Sequence, residues 1–149
     1  MRRDLGDGYE LDDDPERIDL DAVHAYLSES AYWARGRARE TQERMNREAA
    51  RLVGLYHRGR QIGFTRTAVV PGMRVAYLYD VYVLKAHRGR GLGERLVHET
   101  VEHSAFSDFR WLLDTRDAQG LYKKFGFGPP SERLMERPAN PSPSLRPRP

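Results

Sequence analysis

Residues 75–104 constrain this chain more than any other stretch. An apolar run rich in valine and tyrosine at 75–84 leads into Arg88-Gly89-Arg90-Gly91-Leu92-Gly93. Leu92, Leu96, Val97, Thr100 and Val101 then recur at helical spacing. A strand that feeds a helix through a glycine turn belongs to a layered α/β architecture. The near-continuous apolar character of the strand predicts burial on both faces. A helix start leaves backbone N–H groups unpaired at the positive end of the helix dipole. Glycines let a phosphate reach those groups without meeting a Cβ, and Arg88 and Arg90 add cationic charge. The expectation is a pyrophosphate site over Arg88, Gly89, Arg90, Gly91, Leu92 and Gly93.

Ligand classes that use such a turn differ in spacing. A P-loop needs Lys and Ser or Thr after its glycines, whereas Glu94 and Arg95 follow Gly93. A dinucleotide fingerprint would need its third glycine at Glu94 or at Leu96, depending on register. Asp114 stands at a strand end about 20 residues on, where a ribose-binding acid belongs. Yet some 80 residues precede the loop, and the dinucleotide fold usually begins with it. Taken alone, the loop is equally readable as a plain βα turn.

The rest of the chain fits one domain. A short strand at 9–11 follows a frayed start. Ile18, Leu20, Val23, His24 and Leu27 predict a helix capped by Asp19 or Asp21, and residues 38–48 predict a charged, exposed second helix. Strands at 52–57 and 61–70 flank Arg58-Gly59-Arg60 as a hairpin. After the glycine unit come a strand at 109–113, a short helix at 117–125 closed by Gly126, and a last strand near Leu134 and Met135. The expected fold class is α/β (α+β): a mixed sheet, antiparallel in its N-terminal half and flanked by helices, over residues 1–137. Residues 138–149, rich in proline, serine and arginine, are expected to form a disordered tail.

Composition removes several functions. With no cysteine, disulfides, thiolate metal sites and cysteine nucleophiles are excluded. No histidine pair has metal-ligand spacing, so no metal is expected. No window approaches the roughly 18 apolar residues of a membrane span. The first residues lack the apolar core of a signal peptide, so a cytoplasmic location is expected. Positive charge is almost all arginine, lysine occurring only at 85, 123 and 124. Asp and Glu (22) nearly balance Lys and Arg (25), so no nucleic-acid partner is expected.

A second motif stands about 30 residues downstream: Asp117-Ala118-Gln119-Gly120-Leu121-Tyr122-Lys123-Lys124-Phe125-Gly126-Phe127. The pair of motifs resembles the GNAT superfamily of N-acetyltransferases. Arg88, Gly91 and Gly93 match its pyrophosphate loop; Ala118, Leu121, Tyr122, Gly126 and Phe127 match its later segment. Asp117 replaces the family's common asparagine, and Lys85 its usual proline. The resemblance implies acetyl-CoA as co-substrate. Val81, Tyr82 and Val83 would offer backbone groups to the pantetheine arm, and Arg90 or Lys124 would face a phosphate. Asp117 would stand where the cofactor passes, and Tyr122 near the thioester sulfur.

Direct acyl transfer needs an acid for the leaving thiolate, and Tyr122 is the candidate; its bland alternative is a core tyrosine. Asp80 is the candidate base, because Tyr79-Asp80-Val81-Tyr82-Val83 is similar to the Glu-Asp-x-x-Val strand of sugar-phosphate N-acetyltransferases. An ion pair with an arginine would equally explain a charge in that strand. Tyr32 and Trp33 follow the first helix and would either contact the acceptor or plug the gap between helices and sheet. The expected activity is acetyl transfer to a primary amine of a small molecule. A non-catalytic CoA-binding module and a protein N-acetyltransferase stand as alternatives, and a homodimer is common among similar proteins.

Overall fold

The computed structural model describes residues 1–140. Six strands form one sheet in sequence order: β1 (Arg2–Gly6), β2 (Tyr9–Asp12), β3 (Arg51–His57), β4 (Arg60–Val70), β5 (Val75–Val83) and β6 (Arg110–Leu112). Neighbours are antiparallel from β1 to β5, and β6 joins β5 in parallel. The helices are α1 (Leu20–Ser30), α2 (Arg39–Glu48), α3 (Leu92–Glu102) and α4 (Gln119–Lys123). This is the expected mixed sheet with an antiparallel N-terminal half. None of the described helices is long and apolar enough to cross a membrane.

α1 starts where an acid can cap it: the Asp19 carboxylate accepts the Ala22 N–H at 3.0 Å. Val23 and Leu27 of α1 pack with Leu52, Phe64 and Tyr82 on one face of the sheet. α3 covers the other face, where Leu92 and Leu96 meet Leu11, Val53, Leu55 and Ile62. Farther along, Val97 and Val101 of α3 meet Leu78 and Tyr122. The two-sided core explains why β3 and the first part of β4 are buried on both faces.

Three expectations are corrected. The start of the chain is not frayed: β1 pairs with β2, fastened by Arg2 to Glu10 at 2.8 Å, Arg3 to Glu99 at 2.6 Å and the terminal amine to Asp13 at 2.7 Å. No strand forms at Leu134 and Met135, which are exposed. β5 is not buried on both faces along its length; buried and more open residues alternate. Of the expected tail, residues 141–149 lie outside the described residues.

β5 carries the feature that shapes the site. Phe64 pairs with Tyr82 but Arg66 pairs with Tyr79, so one extra residue of β5 bulges opposite Thr65. Asp80 there has φ 57°, a left-handed conformation uncommon for a non-glycine residue. The bulge reverses which residues face which way. Leu78 packs toward α3 and Tyr82 toward α1, although residues four apart in a regular strand share a face.

Gly63 shows how tightly β4 is held beside the bulge. A Cβ there would lie 2.9 Å from the Tyr82 carbonyl oxygen and 3.0 Å from Leu55. Gly63→Ala should therefore lower stability by about 1–3 kcal/mol, read as a fall in the urea midpoint. An unchanged midpoint would show that the β4–β5 pair gives way easily.

Candidate active site

The parallel pairing of β5 with β6 ends at Tyr77 opposite Leu112, while β5 continues to Val83. Beyond Tyr77 that edge of β5 has no partner strand among the described residues. Val81, Tyr82 and Val83 lie on this unpaired stretch. An extended ligand can pair with such an edge as an added strand.

At the far end of β5 the chain turns into α3. Gly89 and Gly91 have φ 81° and 74°, which explains both glycines by conformation. Gly93 is different. It is helical, and a Cβ there would meet nothing closer than Val83 Cγ2 at 4.0 Å. No side chain caps α3, and the first intrahelical bond runs from Arg95 N–H to Gly91. The N–H groups of Leu92, Gly93 and Glu94 therefore sit at an open helix start. The residues present fit a phosphate.

The cations around this loop divide. Arg88 is already engaged, donating to the Val83 carbonyl and the Tyr26 hydroxyl, both at 2.9 Å. Arg90 borders an open groove of about 410 Å³ with Gly91, Glu94, Arg95, His98 and Phe125. Lys124 reaches Glu94 at 3.1 Å, which ties α4 to the start of α3. Asp117 is exposed and has no side-chain hydrogen bond among the described residues.

Tyr122 is buried in the α3-side cluster, yet it lines a cleft of about 1300 Å³ along β6. Its hydroxyl has no hydrogen-bond partner among the described residues. Burial, with smaller contributions from Tyr32 and Asp117, pushes its pKa up to about 12. A hydroxyl in that state holds its proton through neutral pH.

Asp80 is the centre of a buried network. The Trp33 indole donates to Oδ1 at 3.1 Å. The Arg37 and Arg66 guanidiniums both donate to Oδ2 at 2.9 Å. Burial works against the charge, but the two arginines outweigh it and hold the carboxyl below the usual aspartate range. Of the two readings given for Asp80, the arginine ion pair is present, and it leaves the carboxylate a weak proton acceptor.

Tyr32 and Trp33 lie on the loop joining α1 to α2, and each anchors it to a different segment of the chain. Trp33 reaches β5 through Asp80. The Tyr32 hydroxyl accepts the Arg116 N–H at 3.0 Å, and the Arg116 guanidinium lies 3.8 Å over the Tyr32 ring. Arg37, Arg66 and Arg116 escaped the sequence reading. Arg66 alone had a signal, a charge within the hydrophobic run of β4 that needed a buried partner.

The family model for "Acetyltransferase (GNAT) family" matches residues 20–127, and the chain belongs to that family. A GNAT-family protein of known structure from Xanthomonas campestris pv. campestris is 32% identical, with a TM-score of 0.79, over 88% of this chain and 93% of that one. Ribosomal-protein-alanine N-acetyltransferase from Brucella melitensis shares the fold at 18% identity and TM-score 0.63, over 87% and 99% of the two chains. Glucosamine 6-phosphate N-acetyltransferase 1 from Oryza sativa subsp. japonica is 43% identical over 56 residues. That stretch is 36% of this chain and only about a third (34%) of the rice protein.

The Asp80 network yields a stability prediction. Asp80→Asn leaves two buried guanidiniums without a counter-charge and should cost about 3–5 kcal/mol in urea unfolding. The folded pKa lies below the ordinary value of 3.8, so the ion pair's contribution is present above pH 3.8 and is lost as pH falls through the lowered value. The wild type should lose more stability than Asp80→Asn in that acid range. Parallel acid titrations of the two proteins would count against the network.

Proposed function

We propose that this protein transfers an acetyl group from acetyl-CoA directly to a primary amine of a small molecule. The observation that carries the reading is a free strand edge that leads into an uncapped helix start. The edge of β5 beyond Tyr77 has no partner strand among the described residues, α3 opens without a side-chain cap, and Tyr122 packs in the same cluster as Leu78 and Val81 of that strand.

Acetyl-CoA supplies the activated acyl group as a thioester. The N–H groups of Leu92, Gly93 and Glu94 would receive its pyrophosphate, with Arg90 as a loop cation that has no partner among the described residues. Arg88 acts indirectly, holding the loop against β5 and Tyr26. The backbone of Val81, Tyr82 and Val83 orients the pantetheine arm. In the transfer, the amine nitrogen bonds to the acyl carbon and the C–S bond breaks. Tyr122 Oη gives its proton to the departing sulfur and regains one from the amine through water. Asp80 does not take that proton; it fixes the bulge that re-aims β5, and Trp33 with it. Tyr32 and Trp33 cover the acceptor side.

The rice relative's name points to a sugar-phosphate amine as one acceptor to try, although the match covers about a third of that protein.

Two variants test this reading. Tyr122→Phe should retain acetyl-CoA affinity in calorimetry while kcat for free-thiol release falls about 10²-fold or more. Equal turnover would remove Tyr122 as the acid and favour a non-catalytic role for the motif. Gly93→Ala adds a methyl to a helical position with open space. It should keep or raise stability, by up to about 1 kcal/mol, yet weaken acetyl-CoA binding at least about tenfold. Unchanged affinity would move the phosphate away from the loop.

A further inference from the structure

Tyr26 stands where α1 meets the turn into α3. The start of α1 is fixed twice: the Asp19 carboxylate caps it, and the Asp19 N–H donates to the buried Gln61 side chain of β4 at 2.7 Å. Val23 and Leu27 then hold the helix on the sheet. The half-buried Tyr26 ring lies flat on Tyr82 of β5, with centroids 4.1 Å apart and planes 18° from parallel. That stack occupies one face of the ring and leaves the hydroxyl at the turn, where it accepts Arg88 Nη2 at 2.9 Å.

The other acceptor of Arg88 is a strand carbonyl. Gly63 pairs with Val83, and the Leu84 N–H donates to the Ile62 carbonyl at 2.8 Å. In an antiparallel ladder that bond makes Gly63 and Val83 a non-hydrogen-bonded pair, so the N–H and C=O of Val83 point away from β4, toward the edge without a partner strand. Arg88 Nε reaches back five residues to cover that carbonyl at 2.9 Å. One guanidinium thus binds β5 through Nε and α1 through Nη2, a fork that lysine could not make. Directly after it the chain turns through Gly89 and Gly91, both at positive φ, into α3. Both acceptors are neutral, and Arg88 has no carboxylate partner among the described residues, so its charge is held in place without being cancelled.

Resting on the acetyl-CoA reading, we propose that Tyr26 is a positioning residue for the donor: its hydroxyl keeps Arg88 across the Val83 carbonyl, which holds the glycine turn so that the open N–H groups of α3 face the pyrophosphate. The same contact leaves the Val83 N–H, and not its carbonyl, as the group this end of the edge offers to the pantetheine arm. Tyr26 acts through Arg88 and takes no part in breaking the C–S bond. Without the hydroxyl the guanidinium keeps one anchor of two, and the turn must be ordered as the donor arrives, which lowers affinity.

Calorimetric titration with acetyl-CoA tests this on the wild type, Tyr26→Phe, Arg88→Met and the double variant. Tyr26→Phe keeps the stack on Tyr82 and removes only the hydroxyl. It should weaken acetyl-CoA binding by about three- to tenfold, with a urea midpoint close to that of the wild type. Arg88→Met should lose at least as much. The double variant should bind no more weakly than Arg88→Met, because the hydroxyl has nothing to hold once the guanidinium is gone; a role confined to the α1 core would add its own loss in either background. Four outcomes overturn the assignment while leaving the donor reading intact: Tyr26→Phe binding like the wild type, Arg88→Met binding like the wild type, losses that simply add in the double variant, or a Tyr26→Phe protein too unstable to titrate, which would make the hydroxyl part of the core. A wild type that does not bind acetyl-CoA overturns the assignment together with the donor reading on which it rests.

Discussion

The site depends on one buried carboxylate. Asp80 occupies a left-handed backbone conformation in the middle of a strand, a placement that costs of order 1–3 kcal/mol unless its surroundings enforce it. The enforcement comes from three directions: Arg66 from the neighbouring strand, Arg37 from the approach to α2 and Trp33 from the loop before it. Because Arg66 belongs to the sheet while Trp33 and Arg37 belong to the α1–α2 connection, the network joins the sheet to its helical cover. Arg37 extends it further by donating to Gln42 at 2.7 Å, a fully buried amide on an otherwise polar helix. Taking the carboxylate away would leave the arginines facing each other, so bulge, loop and helix stand or fall together.

The bulge does two things for a transferase. It ends the regular alternation of β5, so Leu78 serves the α3 core while Tyr82 serves the α1 core. It also falls just past the point where β5 and β6 part, so the strand bends where its edge becomes free. A regular strand would keep its apolar side chains in phase, but would bring neither Asp80 under Trp33 nor an open backbone edge beside Tyr122.

The sequence made much of this legible, for reasons that can be named. The glycine turn could be read because Gly89 and Gly91 answer to conformation and Gly93 to space, and all three stand before a periodic helix. The start of α1 could be read because a single aspartate caps it. The bulge could not, since it requires knowing that Arg66 lies opposite Tyr79 and not Asp80. β1 was hidden by its own composition: Arg2, Arg3 and Asp4 look like a solvated start until Glu10 and the buried Glu99 supply counter-charges from elsewhere. Arg37 and Arg116 were invisible for the same reason, because a surface-looking arginine gains a role only when the fold brings it a partner. At the other end, Leu134 and Met135 have strand-like composition, but β6 offers only three residues of pairing.

The α1–α2 loop ties the two sides of this arrangement together. It is fixed to β5 through Trp33 and to the β6–α4 connection through Tyr32, so it bridges the two. Both anchors use arginine: Arg37 and Arg66 share the Asp80 carboxylate, and Arg116 lies on the Tyr32 ring. The positive charge left exposed at Arg90 stands at the other end of β5, beside the open start of α3. A polyanionic donor would meet that charge where β5 gives way to α3, a local concentration that net charge alone, at +3, does not reveal.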